Sequence, residues 1–191
     1  ISQNYLTSKT TIQRLLKKTT IDREDQVLEI GAGKGHITRE LEKICKRVIA
    51  YELDGKLYAN LQKKMEGCDK VRVVHGDFLK AKLPEKQKYK VFSNIPFSIT
   101  TALVNKLLTD RNPPEEAWLV MEKGAGKRFF GKPHDTLSSM LIKPFFDAEI
   151  VYHLRKEDFH PSPSVDTVLL HFRKKEQPDI LGMSALLTTT M

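Results

Sequence analysis

Cysteine is scarce in this chain. Cys45 and Cys68 are the only two among 191 residues, and no histidine or cysteine stands beside either at a metal-ligand spacing. A disulfide framework and a structural zinc site are therefore not expected, and no metal centre is read. Long apolar runs are missing as well. No stretch approaches the roughly 18 residues that a bilayer span requires, and no basic-then-apolar segment opens the chain, so a cytoplasmic setting is expected. Internal repeats and low-complexity tracts are absent too.

Acidic residues are in short supply: 24 Asp and Glu face 32 Lys and Arg, giving a net charge of +8 and a pI near 9.4. That balance favours a polyanionic partner, although a merely soluble basic protein is the ordinary alternative. The positive residues recur in patches, at Arg14, Lys17 and Lys18; Lys86, Lys88 and Lys90; Lys123, Lys127 and Arg128; and Arg173, Lys174 and Lys175. A single patch of this kind is ordinarily a solvated face, so the patches alone also fit a non-catalytic RNA-binding module.

What is present suits one domain, since 40% hydrophobic residues supply a core for a chain of this length. Apolar runs of strand length alternate with helix-like stretches between Gln26 and Met121, the pattern of an α/β fold with a parallel sheet. The expected strands are Val27–Ile30, Arg47–Tyr51, Val71–His75, Tyr89–Ser93 and Ala117–Met121. Helices are expected near 35–45, 55–66 and 99–109, with another over Thr7–Lys18. After a basic, glycine-interrupted segment at Glu122–Lys132, a helix is read from Thr136 into Phe146. Two late strands follow at Glu149–His153 and Thr167–Arg173. They are joined through Phe159–Val165, whose prolines predict an extended loop.

The first strand ends in Glu29-Ile30 and turns through Gly31, Gly33 and Gly35, so that bare backbone can approach a ligand. Glu52 closes the second strand about 20 residues on, where a carboxylate suits ribose hydroxyls. Gly76-Asp77-Phe78 puts another carboxylate at the third strand end, although a turn or helix-cap role accounts equally for Asp77. The glycine spacing is G-x-G-x-G, not the dinucleotide G-x-G-x-x-G, yet these features still admit either NAD or S-adenosylmethionine.

The fourth strand end, Ser93-Asn94-Ile95-Pro96-Phe97, narrows the chemistry. An adenine amine is a poor nucleophile because its lone pair is delocalised into the ring. The Asn94 side-chain oxygen and the Ile95 carbonyl suit hydrogen bonds from that amine, which would aim the lone pair at a methyl donor. Pro96 would stiffen the loop, and Phe97 offers a stacking face for an extruded base, a contact worth about 1–3 kcal/mol. The alternative is a strand-terminating turn with Phe97 in the core. DNA adenine methyltransferases use related loops, but isoleucine at 95 favours the RNA branch.

These residues resemble the ribosomal RNA adenine N6-dimethyltransferases, and most closely their Erm branch. The likeness runs in order through Ser2-Gln3-Asn4-Tyr5-Leu6, Glu29–Gly35, Tyr51-Glu52-Leu53-Asp54, Gly76-Asp77-Phe78, Asn94-Ile95-Pro96-Phe97 and Phe159–Val165. Phe97-Ser98-Ile99-Thr100-Thr101 looks like the Erm form. The resemblance implies a Rossmann-like class I methyltransferase, a seven-stranded mostly parallel sheet flanked by helices, acting as a monomer. It implies S-adenosylmethionine as cofactor and a 23S ribosomal RNA adenine as substrate, with macrolide, lincosamide and streptogramin B resistance as the outcome.

By the same resemblance, Gln3, Asn4 and Leu6 belong to the cofactor site, Gln3 and Asn4 closing over the methionine end. Gly31 and Gly33 pass beneath the cofactor, Glu52 holds its ribose, and Leu53 and Phe78 flank its adenine. Asp77 reads that adenine's amino group, Asn94 orients the target amine, and Phe97 with Phe159 sandwiches the target base. A buried anchoring role is the alternative for Phe159, and Trp118 reads as core. Lys123, Lys127 and Arg128 are expected on the RNA. The catalytic domain is read over residues 1–177. Residues 178–191, uncharged from Ile180 onward, are read as a short tail where relatives carry a small helical RNA-binding domain.

Overall fold

The computed structural model describes residues 4–132 and 134–179. Strand β1 (Tyr5–Leu6) leads into helix α1 (Lys9–Leu16), which begins where the Ser8 side chain accepts from the Thr11 amide. Then come β2 (Gln26–Ile30), α2 (His36–Ile44), β3 (Arg47–Glu52), α3 (Gly55–Lys64), β4 (Val71–His75) and β5 (Lys90–Asn94). The chain continues through α4 (Thr100–Leu108), β6 (Glu116–Glu122), α5 (Lys123–Phe129), α6 (Leu137–Ile142), β7 (Phe146–Leu154), β8 (Phe159–His160) and β9 (Thr167–Lys174). Among the described residues no helix is long and apolar enough to cross a membrane, and Cys45 and Cys68 are free thiols.

Seven strands form one sheet in the order β4, β3, β2, β5, β6, β9, β7. Pairing is parallel from β4 to β6 and antiparallel where β9 enters between β6 and β7. The period-two alternation of the strands sorts their side chains onto two cores. Leu28, Val91, Leu119 and Leu170 face one side with α4 and α6, through Leu103, Leu107 and Ile142. Val27, Phe92, Trp118, Val120 and Leu169 face the other, against Ile12 and Leu15 of α1, Leu41 of α2 and Leu61 of α3. Trp118 is fully buried there. Burying a large apolar side chain of this kind contributes about 1.5–3 kcal/mol, so both faces of the sheet must be covered for it to hold.

The chain reverses direction across the sheet between β2 and β5, the position where an α/β sheet opens a crevice at its carboxyl edge. The β2–β5 ladder pairs Val27 with Lys90 and Leu28 with Val91. Two residues further along, the buried Ser93 hydroxyl takes over. It accepts from the Ile30 amide at 3.1 Å and donates to the Ile30 carbonyl at 2.5 Å. The glycine turn after β2 and the loop after β5 are thereby stitched together at their roots.

Three local readings are corrected. The segment 122–132, for which the sequence suggested no helix, carries α5, and Gly126 lies on its buried face, where an added Cβ would stand 3.2 Å from Leu170 Cδ1. Close helix-to-sheet approach, not flexibility, explains that glycine. The helix expected from Thr136 into Phe146 is shorter, because Pro144 has no amide hydrogen to continue the helical ladder and Phe146 already belongs to β7. Finally, the loop at Phe159 begins with a strand: β8 pairs antiparallel with β1 as Leu6 opposite Phe159 and Tyr5 opposite His160.

Candidate active site

The glycine turn runs off β2 at the carboxyl edge of the sheet. Gly31, Gly33 and Gly35 all have positive φ, at 71°, 55° and 81°, a region that other residues rarely adopt. A Cβ at Gly33 would lie 2.6 Å from the Tyr5 ring, so the turn is bare where the first strand crosses it. The turn is also anchored from below. Glu52, 4% exposed, accepts from the Gly33 amide at 2.7 Å through Oε2 and from the Asp54 amide at 2.9 Å through Oε1. Each carboxylate oxygen keeps a second lone pair for a ligand hydroxyl.

A cleft of about 420 Å³ opens above this turn. Gly31, Glu52, Leu53, Asp77, Phe78 and Pro96 line it, as the sequence predicts of all but Pro96, which was placed on the substrate side. The Phe78 ring is buried and meets Tyr51 edge to face, with centroids 5.0 Å apart, while Leu53 is 65% exposed at the lip. Asp77 caps the short 3₁₀ turn after β4, accepting from the Leu79 amide at 2.9 Å through Oδ1. The capping alternative for Asp77 is thus realised, and it still lines the cleft.

The cleft has walls that the sequence reading left unassigned, among them Tyr5, Tyr51, Leu57, Ser98 and Ile99. Tyr5 stands inside a quoted motif, so the order of motifs was a signal for it. Its hydroxyl pKa is raised, first by burial and then by the carboxylates of Glu52 and Asp54. Ser98 and Ile99 likewise stand in the Phe97–Thr101 motif, whereas Leu57 gave no signal of its own, since only the path of α3 brings it here.

Asn94 ends β5 beside the cleft. Its Nδ2 donates to the Asn4 carbonyl at 2.8 Å, which fixes the amide and leaves Oδ1 as its remaining acceptor. The Ile95 side chain is buried and its amide donates to the Val120 carbonyl at 3.0 Å, extending the ladder to β6 by one residue. Among the described residues no donor reaches Asn94 Oδ1 or the Ile95 carbonyl. Pro96 and Phe97 are half-buried, and the Thr100 hydroxyl holds the Phe97 carbonyl at 3.2 Å.

Two expected contacts are placed elsewhere. Phe159 is 3% exposed and packs with Leu6, Leu154 and Leu169, so in this structure it is a core residue, whereas Phe97 is only half-buried. Leu6 is likewise in the core, opposite Phe159, and does not line the cleft. The cause is the β1–β8 pairing, which turns both side chains inward. Gln3 lies outside the described residues, as do residues 180–191. Lys123, Lys127 and Arg128 sit on α5 at the same carboxyl edge, Lys127 and Arg128 exposed and Lys123 half-buried.

Below the turn, Glu29 is fully enclosed. Burial pushes its carboxyl up to about 8, helped by the charge of Glu52 and opposed by the Thr38 hydroxyl, which donates to it at 2.6 Å. Asp54 is held below the usual carboxylate range by the amides of Leu57 and Lys56 at the start of α3.

Positive-φ glycines, a carboxylate tied to the turn and an apolar slot make a cradle whose chemistry fits an adenosyl ligand. Comparison with known proteins agrees. Residues 1–184 match the profile of the ribosomal RNA adenine dimethylase family. An rRNA adenine N-6-methyltransferase of Lysinibacillus sphaericus is 35% identical over 176 residues, covering 91% of this chain and 70% of that protein. Among solved structures, the 23S rRNA methyltransferase ErmE superposes with a TM-score of 0.83 at 30% identity, over 92% of this chain and 72% of that one. A dimethyladenosine transferase from Plasmodium falciparum gives 0.79 at 28% identity, covering 90% and 63%. With motifs, sheet order and cleft all in agreement, this chain belongs to the ribosomal RNA adenine dimethylase family of S-adenosylmethionine-dependent methyltransferases.

Proposed function

We propose that this enzyme transfers one or two methyl groups to N6 of a specific adenine in 23S ribosomal RNA, and so confers macrolide, lincosamide and streptogramin B resistance. The observation that carries the reading is the locked amide of Asn94, which keeps Oδ1 free as an acceptor in the loop whose Pro96 lines the glycine-floored cleft. The likeness to ErmE and the Phe97-Ser98-Ile99 sequence favour the large-subunit RNA.

In this reading Asn94 Oδ1 and the Ile95 carbonyl accept the two hydrogens of the target amine, favouring a tetrahedral nitrogen with its lone pair directed into the cleft. Phe97 stacks on the extruded base, and Pro96 separates base from cofactor. S-adenosylmethionine, when bound, supplies an electrophilic methyl on a sulfonium that leaves as a neutral thioether. The chain therefore needs no strong base, and positioning does most of the work. Gly31 and Gly33 pass under the cofactor, Glu52 takes its ribose hydroxyls, Leu53 and Phe78 hold its adenine, and Asp77 reads the amino group through the oxygen not used in capping. Asn4 closes the methionine end. Lys123, Lys127 and Arg128 bind phosphates, so RNA affinity falls steeply with salt.

The test incubates the protein with labelled S-adenosylmethionine and separated ribosomal RNAs, then maps the modified base. Label on one adenine of the large-subunit RNA is expected. Label confined to small-subunit RNA would assign the enzyme to the other branch of the family, and no label on either would remove the catalytic reading.

A further inference from the structure

We infer that His75 is a positioning residue for the cofactor, holding the exposed lip of the cleft in place through the main chain of Leu53. This rests on reading the cleft as the adenosyl site. Leu53 lines the cleft yet is 65% exposed, so its own side-chain packing does little to fix it. Its neighbours are held from both flanks, since the Gly76 amide after β4 donates to the Glu52 carbonyl at 3.0 Å. The Asp54 amide donates to Glu52 Oε1, and Asp54 Oδ1 accepts from the amides of Lys56 and Leu57 to start α3.

The Leu53 peptide itself is reached by His75, at the end of β4. Its Nε2 lies 3.1 Å from the Leu53 carbonyl. A carbonyl only accepts, so Nε2 carries the hydrogen in this contact. The imidazole is itself held flat: it stacks on Tyr58 of α3 with centroids 4.9 Å apart and planes 17° from parallel. Thus one exposed side chain joins the ends of β3 and β4 to the start of α3, around the peptide that carries the lip.

The ring touches neither the cleft nor the substrate loop, so its influence should fall on cofactor binding and not on the chemical step. The loss of one neutral hydrogen bond predicts an affinity lower by about 3–10-fold. Two variants of the full chain separate the hydrogen bond from the stack. His75→Phe keeps a ring on Tyr58 but has no donor, whereas His75→Gln restores an N–H at a similar reach. Calorimetry with S-adenosylhomocysteine should show His75→Phe weakened by that factor and His75→Gln close to the parent. At saturating S-adenosylmethionine, kcat should be the same for all three while KM for the cofactor follows affinity. Parental affinity in His75→Phe, equal weakening in both variants, or a kcat loss without an affinity change would each overturn the inference. Failure of the parent protein to bind S-adenosylhomocysteine would instead overturn the reading of the cleft.

Discussion

The side-chain amide of Asn94 is locked to the main-chain carbonyl of Asn4, Nδ2 to oxygen at 2.8 Å, across 90 residues of sequence. A loop amide free to flip would present its NH2 to a target amine half the time, repelling the group it must hold. The bond to Asn4 removes that choice, and it ties the first described residue of the chain to the Asn94 loop.

Replacing Asn94 by Ala removes the acceptor without disturbing the cleft floor. Methyl transfer should drop by at least about 100-fold, the scale on which single preorganised polar contacts act. Binding of S-adenosylhomocysteine should persist, and undiminished turnover would refute the amine contact.

Ser93 holds the two halves of the site together where the β2–β5 ladder has ended. In Ser93→Ala the buried amide and carbonyl of Ile30 lose their partner, at a cost of about 1–3 kcal/mol. Thermal denaturation should register a lower Tm, and turnover should fall more than cofactor affinity because the Asn94 loop is no longer pinned to the glycine turn. A variant with the parent's Tm would show that the hydroxyl bridge contributes nothing.

Gly33 combines a positive φ with the Tyr5 ring directly above it. Gly33→Ala must both strain the turn and displace Tyr5, which lines the cleft, so weaker S-adenosylhomocysteine binding is expected in an otherwise folded protein. Calorimetry checks this, and unchanged affinity would mean that the turn does not shape the cofactor site.

Glu29 makes stability depend on pH in a definite direction. Its carboxyl titrates near 4.5 when unfolded and near 8 when buried. Between those values the folded state binds the proton more tightly, so its stabilising effect is full below the lower value and is lost as pH rises through the upper one. Denaturant unfolding of the parent and of Glu29→Gln, from about pH 5 to about pH 8, should show the parent losing ground to the variant as pH rises. Parallel pH profiles would show that the carboxyl is charged in the fold.

The strands and their order of use were legible because each is a short apolar run bounded by turn residues, and burial on both faces leaves few alternatives. Glycine positions were legible for a related reason, since a positive φ restricts residue choice at that spot alone. The prolines near Phe159 pointed to extended chain but could not show that it pairs with Tyr5 and Leu6. Two-residue strands carry no periodicity, and their partner lies about 150 residues away. That pairing is what sends Phe159 and Leu6 into the core.

By itself, then, the sequence determined the α/β class, the glycine turn, the carboxylates at successive strand ends and the Asn94-Ile95-Pro96-Phe97 loop. These depend on local backbone preferences and on hydrophobic period, which are properties of short segments. Only the tertiary structure decided which way the Asn94 amide faces, that Ser93 bridges to Ile30, that Tyr5 roofs Gly33, and that His75 braces Leu53. Each of those is a contact between segments far apart in the chain, and its geometry exists only after the sheet has set the distance between them.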